Sequence, residues 1–186
     1  MRPALLSVIA AVLLGGCGNS RTPVPDTGFI PAPSSFRDVK YPAEGVGLKI
    51  PVNWREQQGT DPQISIVAAG DAQMALWRYK RTEPLPQTRS QLDAARQALV
   101  AQVESRDATF ELTSSRLVMK PGLRAVELVG QETNQGQRRS VRSLHAYGHG
   151  AEVVLDAFAP PKDFPRVDKQ TFAPVARSLR LRAAKS

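Results

Sequence analysis

The chain has 186 residues, of which 41% are hydrophobic, and its formal net charge is +8 at pH 7. This length and hydrophobic content are enough for the core of one ordinary domain. Cys17 is the single cysteine, which excludes an internal disulfide and leaves no second thiol for metal binding or nucleophilic catalysis.

The N-terminus carries the pattern of an export signal. Arg2 precedes a nearly continuous apolar run over 4–14, which leads to Gly15-Gly16-Cys17. As a helix this run would span only about 16 Å, too short for a hydrocarbon core of roughly 30 Å. The layout resembles a bacterial lipobox, which implies cleavage before the cysteine and attachment of a diacylglyceryl group, with fatty chains such as palmitate, to its thiol. An ordinary signal peptide or a buried N-terminal helix is the alternative.

We therefore expect a lipoprotein signal peptide over 1–16, with the mature protein lipid-anchored at the extracytoplasmic face of the cell membrane. Residues 17–40 hold four prolines and few apolar side chains, which predicts an extended tether that separates the domain from the lipid. A partner-binding proline motif is disfavoured, because these prolines are spaced Pro-x-Pro and not Pro-x-x-Pro.

A single domain is expected over 41–182. Alternating apolar residues predict a first strand from Val46 to Ile50, which Pro51 ends. Second and third strands are expected at 63–69 and 74–80, joined by a turn at Gly70-Asp71.

The best-supported helix follows. Thr88 and Gln91 have the spacing of a capping box, and apolar residues then recur at helical intervals through Val103. Ser105 to Asp107 should end this helix. One stripe should cover a sheet while the opposite stripe meets water.

The rest of the domain alternates with a period of two. Phe110 and Leu112 open a strand that can continue to Met119, and short loops then separate strands predicted at 123–132, 138–147 and 151–158. Such short loops make antiparallel neighbours. A C-terminal helix is predicted over 163–179, broken or kinked by Pro174, followed by an edge strand over 179–181 and a basic tail over 183–186.

These elements give an α+β fold in which an antiparallel sheet carries a long helix and a C-terminal helix. The order and spacing of GVGLKIPVNW, the central helix, the Gly122–Ala125 strand and the closing Ser178-Leu179 resemble the PsbP-like α/β/α sandwich. That fold includes small bacterial lipoproteins similar to the actinobacterial LpqN type. The resemblance implies a binding, assembly or adaptor module more readily than an enzyme.

Four side chains are candidate binding residues. Trp54 and Trp77 offer large apolar faces with one polar donor each, although a packing role in the core is the alternative. Arg139 and Arg142 belong to a basic cluster on one strand, which is either a solvated face or a contact for an anionic surface.

Catalytic patterns are weak. His145 and His149 are four residues apart, but the glycines around His149 place them on a strand and a turn, where that spacing does not align two metal ligands. The chain has no Gly-x-Ser-x-Gly elbow. Glu127 can face Arg142 across a hairpin, where a cross-strand ion pair is the usual meaning. We expect no catalytic residues, metal or cofactor.

The sequence thus predicts a non-catalytic envelope lipoprotein that binds a protein or an anionic envelope component. Export disfavours nucleic acid as a partner despite the basic charge. The alternative is a carrier or sensor that holds an apolar ligand between the long helix and the sheet, near Trp77 and Phe158.

Overall fold

The computed structural model describes residues 28–185. The predicted signal peptide over 1–16, the lipidation site Cys17 and the first part of the tether lie outside this range. None of the helices within it is both long and apolar enough to cross a membrane.

The described chain contains ten strands, one long helix and a helical C-terminal segment. The strands are β1 (Phe36–Tyr41), β2 (Val46–Pro51), β3 (Arg55–Gln58), β4 (Gln63–Ala69), β5 (Ala72–Lys80), β6 (Glu111–Lys120), β7 (Leu123–Asn134), β8 (Gln137–Gly148), β9 (Ala151–Ala159) and β10 (Arg180–Leu181). The helices are α1 (Arg89–Arg106), α2 (Phe164–Val167) and α3 (Ala173–Ser178), with a π-helical segment at Asp168–Phe172 between the last two.

The strands form two antiparallel sheets. The larger has the order β3-β4-β5-β9-β8-β7-β6, and the smaller has the order β1-β2-β10. Two-residue turns at Gln135-Gly136 and His149-Gly150 connect β7 to β8 and β8 to β9, and all four of these residues have positive φ. Positive φ at both turn positions matches the right-handed twist of paired strands, so these turns fix the register of the meander.

Helix α1 begins at the predicted capping box. The Gln91 backbone N–H donates to the Thr88 hydroxyl (3.2 Å), and the Gln91 side-chain oxygen accepts from the Thr88 N–H (3.1 Å). Leu92 is completely buried and packs with Val126 and Leu128 of β7. The predicted apolar stripe of α1 therefore covers the larger sheet, over β6 and β7.

The opposite face of the larger sheet carries the main core. Side chains of β5, β8 and β9 pack there against the smaller sheet and against the C-terminal segment, including Phe172 and Val175. Pro174 lies in the first turn of α3, directly after the π-helical segment, and proline is tolerated in the first turn of a helix. The predicted interruption of the C-terminal helix is confirmed. The π-helical segment separates α2 from α3 and is the site of this interruption.

A buried ionic cluster joins that segment to the sheet. Arg142 of β8 is 11% exposed, and its guanidinium donates to Asp168 (2.5 and 2.7 Å) and lies 2.6 Å from Glu127. Arg116 also donates to Glu127 at 2.5 Å. Burial by itself would raise the pKa of the Glu127 carboxyl, but the hydrogen bonds from the two arginines outweigh it and lower that pKa. The predicted Glu127–Arg142 pair is confirmed.

The folded part begins before residue 41, so the predicted end of the tether at residue 40 is corrected. Ile30 is 1% exposed, and β1 pairs along its whole length with β2. At the other end, the Lys185 N–H donates to the Pro42 carbonyl (2.8 Å), which places the start of the predicted basic tail against the domain. The sequence of β1 lacks the alternation of apolar residues that predicts a strand, because Val39 is its only buried side chain.

Candidate functional site

Helix α1 covers only part of its face of the larger sheet. It packs on β6 and β7 at one side, whereas β8, β9 and β5 continue the same face beyond it. A cavity of about 390 Å³ lies where the C-terminal half of α1 stands next to these strands. We call this space the α1 cavity. Its apolar wall is formed by Leu99, Val103, Phe110, Val141, Val154 and Phe158.

Strand alternation brings four polar side chains to the floor of the α1 cavity. Ser143 and His145 are two residues apart on β8, and Glu152 and Asp156 lie on β9, with Ser143 directly paired to Asp156. Residues at i and i+2 of a strand share a face, so the register of one hairpin assembles all four groups.

These groups form one continuous hydrogen-bonded chain. The Ser143 hydroxyl donates to Asp156 Oδ1 (2.5 Å) and lies 3.0 Å from His145 Nε2. The other ring nitrogen, Nδ1, lies 2.7 Å from Glu152 Oε1. Arg81 pairs with the second oxygen of Glu152. The imidazole is therefore held in orientation from both sides.

The two carboxyls of the floor differ in electrostatic environment. Burial would raise the pKa of Glu152, but hydrogen bonds from His145 and Arg81 outweigh it and lower that pKa. Burial raises the pKa of Asp156, and the hydrogen bond from the neutral Ser143 hydroxyl does not offset it. Burial also raises the pKa of Tyr79 at the rim, helped by the negative charges of Asp156 and Glu152. The cavity lining holds three carboxylates, those of Glu132, Glu152 and Asp156, and two arginines, Arg81 and Arg106.

Ser143, His145 and Glu152 have the separations of a nucleophile, a base and an orienting carboxylate. However, the Ser143 hydroxyl oxygen lies closer to Asp156 Oδ1 (2.5 Å) than to the imidazole Nε2 (3.0 Å). The Ser143 backbone lies in the middle of β8, paired with Leu128 on one side and Asp156 on the other. Its neighbouring N–H groups are committed to the sheet, so they do not form an oxyanion hole.

Two of the predicted binding residues have structural roles instead, which corrects those assignments. Trp54 is 4% exposed, packs edge-on against Phe172 (6.1 Å between centroids) and donates its indole N–H to Pro31. Arg142 is held in the ionic cluster with Glu127 and Asp168, on the face of the sheet opposite the α1 cavity. Neither side chain is available to a ligand.

The other two predicted residues lie close to the cavity. Trp77 is half-buried on β5, opposite Val154, and so faces the same side as the cavity floor. Arg139 lies over the Phe158 ring (4.0 Å to the centroid) and donates to Glu132 at 2.7 Å. The arginine thereby borders the cavity wall without entering the polar floor.

The sequence reasoning missed the floor itself. It placed His145 on a strand and His149 in the following turn, and the structure agrees. Pairing the two predicted strands about that turn sets Ser143 opposite Asp156 and His145 opposite Val154. This pairing could have predicted the polar floor from the sequence. No set of three or more His, Cys, Asp or Glu side chains in the described range could hold a metal ion.

The chain matches no protein-family model and none of the curated protein sequences. Among solved structures it is similar to the cyanobacterial PsbP (CyanoP) of Synechocystis, with a TM-score of 0.62 and 14% identity over 91% of this chain and 99% of that one. LpqN of Mycobacterium tuberculosis gives a TM-score of 0.55 and 13% identity over 79% of this chain and 90% of that one. The Ran-binding protein Mog1p of Saccharomyces cerevisiae gives 0.53 and 9%, over 79% and 95%. At these identities the likeness concerns the fold alone, and it confirms that the described domain has the PsbP-like α+β fold.

Proposed function

We propose that this protein is a lipid-anchored binding module of the cell envelope, which acts without catalysis on a protein or an envelope component. The observation that carries the proposal is the α1 cavity, together with the sheet face that α1 leaves open beside it. Tyr79 is exposed there and Trp77 is half-buried. Aromatic side chains that remain accessible next to a concave site are typical of binding surfaces.

The proposed anchor is the diacylglyceryl group on Cys17. Twelve residues separate Cys17 from the buried Ile30. If extended, this tether reaches about 40 Å at roughly 3.1 Å per residue. The module would then work close to the membrane, at its extracytoplasmic face. The similar LpqN is described as involved in cell envelope biogenesis, which accords with this location.

The charge of the protein favours anionic neighbours. The formal net charge of the full chain is +8, and cleavage before Cys17 removes only Arg2, which leaves +7 to attract lipid head groups or acidic envelope polymers. Export disfavours nucleic acid as a partner, although the chain is basic. The absence of an oxyanion hole at Ser143, described above, supports a non-catalytic role.

The second candidate function is a carrier or sensor of a small ligand. It is favoured by the position of the α1 cavity, which lies between helix and sheet and has an apolar wall that includes Leu99, Val103 and Phe158. The polar floor argues against a ligand that is apolar throughout, because burying Asp156 and Glu152 against hydrocarbon would leave their carboxyls poorly solvated.

Site-specific photocrosslinking in the native host tests the binding role. A benzophenone amino acid replaces Tyr79 on the open face, and in a matched control it replaces Gln97 on the solvent side of α1. We expect a discrete adduct of defined mass from position 79 and none from position 97. If both positions give the same background, the open face has no partner and the proposal loses its support.

A further inference from the structure

The carboxylates of the α1 cavity are not equally neutralised. Glu132 pairs with Arg139 and Glu152 pairs with Arg81, while His145 also contacts Glu152. Asp156 has a neutral hydroxyl, that of Ser143, as its hydrogen-bond partner, and the described residues give it no ion pair.

The backbone holds Asp156 on the cavity face of the sheet. It lies in the centre of β9, where its backbone pairs with Ala75 on one side and Ser143 on the other. Burial raises the pKa of its carboxyl, so its ionised form is poorly solvated in the free protein. A cation that entered the cavity would relieve this penalty, because opposite charges in contact compensate for lost hydration.

Of the two arginines that line the cavity, Arg81 is paired with Glu152, whereas Arg106 is not in a salt bridge within the described chain. Arg106 is an exposed residue in the last turn of α1, at the mouth of the cavity. The positive charge of Arg106 therefore raises the local potential at the entrance while Asp156 remains without a salt bridge.

From these contacts we propose that the α1 cavity binds an organic ammonium group attached to an apolar body, with the Asp156 carboxylate as its counter-ion. This inference rests on the proposed binding function and names the class of ligand. The apolar wall would receive the body of the ligand, and the floor would receive its charge. The aromatic ring of Tyr79 at the rim adds a surface that cations favour. A bare metal ion is disfavoured, since the described residues offer no three-ligand set.

Three naphthalene probes of similar size and different charge test the proposal. They are the cation 1-naphthylmethylammonium, the neutral 1-naphthylmethanol and the carboxylate anion of 1-naphthaleneacetic acid. Binding is measured by calorimetry at pH 7 to the mature polypeptide, from residue 17 onward, with Cys17→Ser to leave out the lipid. We expect the ammonium to bind at least about tenfold more tightly than the alcohol, equivalent to ~1.4 kcal/mol. The carboxylate probe should bind more weakly than the alcohol, because its charge has the same sign as that of Asp156.

Variants assign the preference to one residue. Asp156→Asn keeps the shape of the side chain and should abolish the preference for ammonium while leaving affinity for the alcohol unchanged. Glu104→Gln removes one negative charge from the exposed side of α1 and should preserve the preference. Arg106→Gln removes the competing cation and should increase ammonium affinity severalfold. Weaker ammonium binding in that variant, or an undiminished preference in Asp156→Asn, overturns the proposal.

A second measurement keeps the test valid if Asp156→Asn does not fold. In the chain without that substitution, the preference for ammonium over alcohol should fall as acid protonates Asp156, and a preference independent of pH contradicts the proposal. Equal binding of all three probes refutes the ammonium class but leaves a carrier role intact. If none binds, both the inference and the carrier role fail, whereas the photocrosslinking result at position 79 still decides the role in protein binding.

Discussion

Replacement of Arg142 by Met provides a quantitative test of the ionic cluster. The substitution introduces an apolar side chain of similar length and removes the partner of two carboxylates, the buried Glu127 (6% exposed) and the partly buried Asp168 (19% exposed). Removal of one partner from a buried pair costs about 3–5 kcal/mol. Glu127 retains its bond from Arg116 and Asp168 retains some water contact, so we expect a loss near the lower limit, about 3 kcal/mol.

Arg139→Met is the matched control, because Arg139 lies on the same strand but is one-third exposed. Loss of its contact with Phe158 and its pair with Glu132 should cost about 1 kcal/mol. Urea denaturation followed by circular dichroism measures both values on the mature chain. Equal losses in the two variants, or a loss below about 1 kcal/mol for Arg142→Met, would refute the structural role assigned to the cluster.

Three further outcomes are expected. Cys17→Ala should move the protein from the membrane fraction to the supernatant and abolish labelling with an alkyne fatty acid, and retention in the membrane would contradict the anchor. Leu92→Ala empties the completely buried contact of α1 with β7 and should cost about 2–5 kcal/mol in the same urea experiment, whereas a loss below about 1 kcal/mol would show that α1 is loosely packed. Asp156→Asn should stabilise the protein at pH 7. Folding raises the pKa of Asp156, so the protonated carboxyl favours the native state at low pH. This contribution to stability is lost as the pH rises through the pKa of Asp156 in the folded protein. The advantage of the variant should therefore shrink towards pH 3, and an advantage that grows in acid would reverse the assigned sign.

The parts of the fold that the sequence predicts are those with a local signal. The capping box at Thr88 and the glycine turns of the meander are chemical features within a few residues, and both occur as expected. Strand β3 was missed because its residues Arg55–Gln58 include no apolar side chain. It is a strand only because its backbone pairs with β4, and such pairing leaves no pattern in its own sequence.

The candidate site depends on register, which is a property of two strands together. Each of Ser143, His145, Glu152 and Asp156 is unremarkable within its own strand, and the chain they form exists because β8 and β9 pair in one alignment. A shift by one residue would move the polar groups of β9 to the opposite face. The basic cluster at 138–142 was misread for a different reason. Arg139 and Arg142 are three residues apart on one strand, so alternation alone places them on opposite faces of the sheet.

The most direct test of the account is the intact mass, under native conditions, of the protein extracted gently from its own membrane. The account predicts a chain that begins at Cys17, carries the mass of a diacylglyceryl group and its fatty chains, and retains a bound protein or small ligand that collisional activation releases. A chain that still begins at Met1, unmodified and without a bound species, would contradict the proposal of a lipid-anchored binding module.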